Sequence, residues 1–124
     1  MSYKTLAYVN NICRWPDNLN IIDTKLNKII NTTTISDDVF WTYGIAITPD
    51  SKYIYLTNFA YDGNVYVLDT STNTVVKIIP VGRTIGIDIT PDGKYVYVSC
   101  YYAGEISVIK TNTNTVIDTI PVGD

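Results

Sequence analysis

The stretch Gly44-Ile45-Ala46-Ile47-Thr48-Pro49-Asp50-Ser51-Lys52-Tyr53-Ile54-Tyr55-Leu56 returns 42 residues later as Gly86-Ile87-Asp88-Ile89-Thr90-Pro91-Asp92-Gly93-Lys94-Tyr95-Val96-Tyr97-Val98. Farther on, Asp69-Thr70-Ser71-Thr72-Asn73-Thr74-Val75-Val76 aligns with Lys110-Thr111-Asn112-Thr113-Asn114-Thr115-Val116-Ile117, now at an offset of 41. Ile79-Pro80-Val81-Gly82 likewise aligns with Ile120-Pro121-Val122-Gly123. A weaker copy precedes both. Leu6-Ala7-Tyr8-Val9-Asn10-Asn11 matches Tyr53-Ile54-Tyr55-Leu56-Thr57-Asn58, and the run 21–30 matches 67–76, but nothing in that copy corresponds to Gly-Ile-x-Ile-Thr-Pro-Asp. A near-constant period of this length is the signature of a stacked array, in which each unit buries its faces on its neighbours.

Turn chemistry divides each repeat into four short segments. The first ends at Thr-Pro-Asp, where proline presets φ for a turn and the glycine that follows in the last copy relieves a left-handed position. The second, rich in tyrosine and β-branched residues, alternates in strand fashion. The third breaks at Asp-Thr-Ser-Thr-Asn or Lys-Thr-Asn-Thr-Asn, whose side chains bond nearby backbone and close a compact loop. The fourth ends at Pro-Val-Gly. No segment has helical period, so the sequence predicts eleven strands and an all-β fold of β-propeller blades. A sandwich gives the same local signals but not the repeat. The blades are expected at 1–35, 43–82 and 85–124, with the first lacking its innermost strand.

Of 124 residues, 46% are apolar and the net charge is only −3, which suffices for a core and excludes a solvated polymer. Nine Lys and Arg leave no basic stripe, so nucleic acid is not expected as a partner. No apolar run approaches the roughly 20 residues that span a bilayer, and the N-terminus is too polar for a signal peptide, so no membrane insertion is expected. Cys13 and Cys100 are read as two free thiols. The chain has no histidine, the residue most used for general acid and base work and for zinc or heme ligation. No Gly-x-Ser-x-Gly and no Asp-x-Asp-x-Asp-Gly loop is present, so neither a catalytic motif, a metal nor a cofactor is expected. Asn31-Thr32-Thr33 is a formal glycosylation acceptor of low specificity.

Tyr8-Val9-Asn10-Asn11, Tyr55-Leu56-Thr57-Asn58 and Tyr97-Val98-Ser99-Cys100, with Gly-Ile-x-Ile-Thr-Pro-Asp before and Val-x-Val-Ile-Asp-Thr after, resemble the Tyr-Val-Thr-Asn motif of YVTN β-propeller repeats. The resemblance implies a surface-layer-like or exported propeller, at the cell surface or outside the cell. Relatives that act in nitrous-oxide reduction use histidine-bound copper, which this chain has no histidine to supply. Departures are the loop 12–17, the stretched link 36–42 and Cys100 in place of the motif asparagine.

Three blades do not close a ring of the usual 4 to 8. The sequence therefore leads to the expectation of a homo-oligomer that closes the ring by self-association, or of remaining blades in a longer chain. Loops between second and third strands share one face with the links between blades. That face is expected to gather Arg14, Trp15, Asp17, Asp37, Asp38, Phe40, Trp41, Phe59, Tyr61, Asp62, Tyr101, Tyr102 and Glu105, aromatics beside acids that suit a protein or glycan partner. Asp88, on the innermost strand, is a candidate channel carboxylate, against the reading that it only satisfies neighbouring polar groups. The functional expectation is a non-enzymatic binding or scaffolding module. The alternative is a propeller enzyme or accessory subunit, lactonase-like or dehydrogenase-associated, of which this chain is a fragment.

Overall fold

The computed structural model describes residues 5–11, 17–36, 41–60 and 62–123. Among these there are eleven strands and no helix. The first antiparallel sheet is formed by β1 (Leu6–Asn11), β2 (Asp17–Asp23) and β3 (Lys28–Ser36). The second contains β4 (Thr42–Ile47), β5 (Tyr53–Asn58), β6 (Asn64–Asp69) and β7 (Thr74–Pro80), and the third β8 (Thr84–Ile89), β9 (Tyr95–Cys100), β10 (Glu105–Lys110) and β11 (Thr115–Pro121). Every sheet is a meander in chain order, and β4 and β8, the first strands of their sheets, lie against each other. This is the architecture that the repeat predicts.

The turns form as their residues dictate. In the Thr-Pro-Asp hairpins the aspartate gathers the loop: Asp50 Oδ1 accepts from the Thr48 hydroxyl at 2.6 Å and the Lys52 N–H at 3.0 Å, and Asp92 repeats both bonds with Thr90 and Lys94. Gly93 has φ 73° there, and Ser51 fills the same place at 61° without being glycine. In the loops before each last strand, Asn27, Asn73 and Asn114 all adopt a left-handed φ of 52–55°, which asparagine tolerates better than other non-glycine residues.

The period of two sends alternate side chains of each sheet to opposite neighbours. In the second sheet, Ile54, Leu56, Tyr66 and Leu68 turn toward Leu19 and Ile35 of the first. Tyr55, Val65, Val67 and Ile79 turn the other way, onto Val96, Val98 and Ile109 of the third. Fully burying one such aliphatic side chain is worth about 1.5–3 kcal/mol, so these two seams carry most of the cohesion between sheets. Where the inner strands meet there is no room for a side chain: a Cβ on Gly44 would lie 2.6 Å from the Ile85 carbonyl oxygen.

Cys100 is buried and unbridged, with its sulfur 3.5 Å from the Ser107 hydroxyl. Cys13 lies outside the described residues.

Candidate functional site

At the end of the sheets where β4 and β8 begin and β5 and β9 finish, the repeat places equivalent residues side by side. Phe59 donates its N–H to the Trp41 carbonyl at 3.0 Å, and Tyr101, its counterpart, donates to the Arg83 carbonyl at 2.8 Å. Residues 41 and 83 thus head equivalent inner strands, one bearing an indole and the other a guanidinium.

Their side chains converge. Phe59 is the hub, with its ring centroid 6.2 Å from Trp41, 5.6 Å from Tyr43 and 5.1 Å from Tyr101, the last two edge to face. Tyr101 stacks edge to face on Tyr102 at 4.5 Å. The Arg83 guanidinium carbon stands 5.6 Å from the Phe59 centroid and 5.3 Å from that of Tyr102, within cation–π range of both. Beside it opens a cavity of about 500 Å³ lined by Val81, Gly82, Arg83, Cys100, Tyr102 and Ala103. Trp41, Tyr43, Tyr101 and Tyr102 all remain exposed despite these contacts.

The head of β4 is held from below. Trp41 has φ 67°, a conformation that costs a bulky residue on the order of 1–2 kcal/mol. The Asp17 carboxylate anchors it, accepting the Thr42 N–H at 3.0 Å and the Trp41 backbone N–H. Burial pushes the Asp17 carboxyl above the usual range, and those two N–H bonds oppose the shift.

Of the residues that the sequence nominated, Trp41, Phe59, Tyr101 and Tyr102 come together in one cluster. Asp17 is buried beneath that cluster rather than on its surface. Asp88 is exposed on β8, with Oδ1 accepting the adjacent Ile89 N–H at 2.8 Å, away from the ring cluster. Arg14, Trp15, Asp37, Asp38, Phe40 and Tyr61 lie outside the described residues. Arg83 and Tyr43 were not nominated. The signal for Arg83 was available, since the repeat offset of 42 carries Trp41 onto it.

Three stacked antiparallel meanders with their first strands adjacent define a β-propeller. The family model for the cytochrome D1 heme domain matches residues 9–124, and the chain belongs to that family. Among solved structures, hydrazine synthase of Kuenenia stuttgartiensis is similar over 86% of this chain, at 29% identity and a TM-score of 0.77. The dihydro-heme d1 dehydrogenase NirN, solved in complex with DHE, is similar over 96% at 20% identity and a TM-score of 0.72, which speaks to the fold. This chain spans 30% and 24% of those two chains. No curated protein matches it in sequence. The family match overturns the expectation of a surface-layer-like scaffold and favours the alternative reading, in which this chain is a fragment of a propeller enzyme or accessory subunit. The repeat motif was sound evidence for blades. It was no evidence for surface layers, because blade residues are set by packing and turns that many propellers share.

Heme iron takes axial ligands from His, Cys, Met or Tyr. The chain has no histidine, and among the described residues no three His, Cys, Asp or Glu side chains converge. The Cys100 sulfur is buried against Ser107 and the Val98 carbonyl. Of those ligand types the cavity lining holds Tyr102 and Cys100, with the cysteine sulfur turned to Ser107, and no histidine. A cation set among ring faces beside an open cavity does fit the flat, acidic periphery of a tetrapyrrole.

Proposed function

We propose that this chain contributes three blades, at 1–35, 43–82 and 85–124, to a heme-d1-type propeller that serves as an enzyme's propeller portion or as its accessory. Further blades complete the ring. In this reading the Tyr-Val-Thr-Asn-like tetrapeptides are one form of the family's second strand, and the rim around Arg83 takes the acidic edge and flat face of a tetrapyrrole. In this reading a histidine ligand to iron would come from outside this chain, which has none.

The observation that carries this is the Arg83 guanidinium, set 5.6 Å from Phe59 and 5.3 Å from Tyr102 beside the 500 Å³ cavity. Aromatic faces hold a guanidinium plane, and a planar guanidinium recognises carboxylates through paired N–H donors. The family's ligand class supports a tetrapyrrole as the acid concerned. Titrating a porphyrin dicarboxylate into the protein and following its Soret band tests the assignment. Arg83→Ala should weaken binding about tenfold or more, the scale of a lost charge-assisted hydrogen bond, and Arg83→Lys should restore little because an ammonium neither stacks nor pairs bidentately. Unchanged affinity in both variants rules out this site.

A further inference from the structure

Asp17 stands where the repeat has glycine in its other two copies. The match of Asp23-Thr24 to Asp69-Thr70 carries Asp17 onto Gly63, and Gly104 is the counterpart in the third sheet. Neither glycine has room for a side chain: a Cβ on Gly63 would lie 2.2 Å from the Gly82 carbonyl oxygen, and one on Gly104 would lie 2.4 Å from that of Gly123. In the first sheet Ser36 takes the place of Gly82, and the register shifts between Asp17 and Asn18. The link onward runs from Ser36 to Thr42, where its counterpart runs only from Gly82 to Thr84. A side chain is admitted there, and the residue present is an aspartate, 3% exposed.

A buried carboxylate needs donors, and Asp17 finds them in the next sheet, in the Thr42 N–H at 3.0 Å and the Trp41 N–H. Asn10, on β1, grips the same stretch of backbone, its amide donating to the Thr42 carbonyl at 2.8 Å and the Tyr43 carbonyl at 3.2 Å. At the head of β8 the corresponding Thr84 is met differently, its hydroxyl accepting the Asn58 N–H at 3.1 Å. The backbones differ accordingly. Trp41 has φ 67°, while Arg83, its equivalent, keeps a negative φ.

The left-handed residue sets the indole 6.2 Å from the Phe59 ring, and Phe59 carries the Arg83 guanidinium at 5.6 Å. A row of contacts therefore runs from Asp17 through Trp41 and Phe59 to Arg83, from the first sheet to the head of the third. We infer, on the reading of this rim as a tetrapyrrole site, that Asp17 is a positioning residue for Arg83. It fixes the peptide at Trp41, the indole packs on Phe59, and Phe59 holds the guanidinium that faces the ligand. Without the carboxylate, a φ that is costly for a bulky residue has less to hold it, and Phe59 loses its packing against the indole.

The test compares binding of a porphyrin dicarboxylate, followed by its Soret band, with the Arg83 Nε–H resonance of the unliganded protein. Circular dichroism verifies that each variant is folded. That resonance, assigned by its absence in Arg83→Lys, should be displaced in the native chain by the rings of Phe59 and Tyr102. Asp17→Ala should weaken porphyrin binding about fivefold, the scale of one hydrogen bond, and move the resonance toward that of a free guanidinium. Asp17→Asn, which keeps an acceptor oxygen, should restore both. Trp41→Ala should reproduce the losses of Asp17→Ala, and the double variant should lose no more than either alone, because both act through one row of contacts. Additive losses, or a resonance that stays in place in Asp17→Ala, would overturn the inference. Should the native chain bind no porphyrin, the ligand assignment falls, and the resonance alone decides whether Asp17 positions Arg83.

Discussion

The hydroxyl of Tyr55 donates to Asn114 Oδ1 at 2.5 Å, joining a strand of one sheet to a turn of the next across 59 residues of sequence. The asparagine serves twice: its backbone takes the left-handed φ that closes its own turn, and its side chain receives the neighbouring sheet. Stacking order is thereby written into a turn residue.

Tyr55→Phe removes this bond and leaves a half-buried acceptor. It should lower unfolding stability by about 1–3 kcal/mol, read as a fall in denaturant midpoint at constant slope. Burial pushes the Tyr55 phenol up to about 12, with a lesser contribution from Tyr53. The folded state therefore keeps this proton when the unfolded chain has lost it. Its contribution to stability is complete below about pH 10, the ordinary tyrosine value, and declines as pH rises toward 12. In Tyr55→Phe that part of the alkaline decline should vanish.

Asp17 separates an anchoring acid from a ligand-binding one. Asp17→Ala should cost about 1–3 kcal/mol by leaving the Thr42 N–H without its acceptor. Asp17→Asn keeps an oxygen there without a buried charge and should be close to neutral in stability at pH 7. Because the folded carboxyl lies above the usual range, the native protein holds this proton more tightly than the unfolded chain. Its stability should fall as pH rises through the interval between the two values, and in Asp17→Asn that fall should be absent. Thermal melts across the acid range measure both.

The hairpin aspartates titrate in the opposite sense. The Thr48 hydroxyl, then the Lys52 N–H, hold the Asp50 carboxyl below its usual range, and Thr90 and Lys94 do the same for Asp92. Their contribution is present above the ordinary carboxylate value and is lost as pH falls through the depressed folded values. Replacing both with Asn should flatten the acid limb of the stability curve while leaving the fold intact at neutral pH, as melts from neutral to strongly acid pH would show.

The sheets, their order and their turns were legible in the sequence because the repeat copies local causes. The Thr-Pro-Asp hairpin and the Asn-closed loop work by bonds within a few residues, as the Asp50 and Asp69 contacts illustrate. The rim was half legible. Phe59, Tyr101 and Tyr102 announced themselves as loop aromatics, but Arg83 sits in a link between sheets and gains meaning only when two sheets stack. Asp17 was misread for the same reason: its partner, Thr42, is 25 residues away and belongs to the next sheet. Asp88 was placed correctly on an inner strand, yet its side chain only caps its neighbour's N–H. Ligand class was not legible at all, since blade residues report packing.

The Arg83 rim is proposed to recognise a tetrapyrrole acid by its face and edge, with binding that does not depend on iron. Titration of the purified protein with a metal-free porphyrin dicarboxylate, followed by its Soret band, tests this most directly. A saturable shift, matched in affinity by the iron porphyrin of the same periphery, is the predicted result. No saturable shift with the metal-free compound, or binding of the iron form alone, would contradict it.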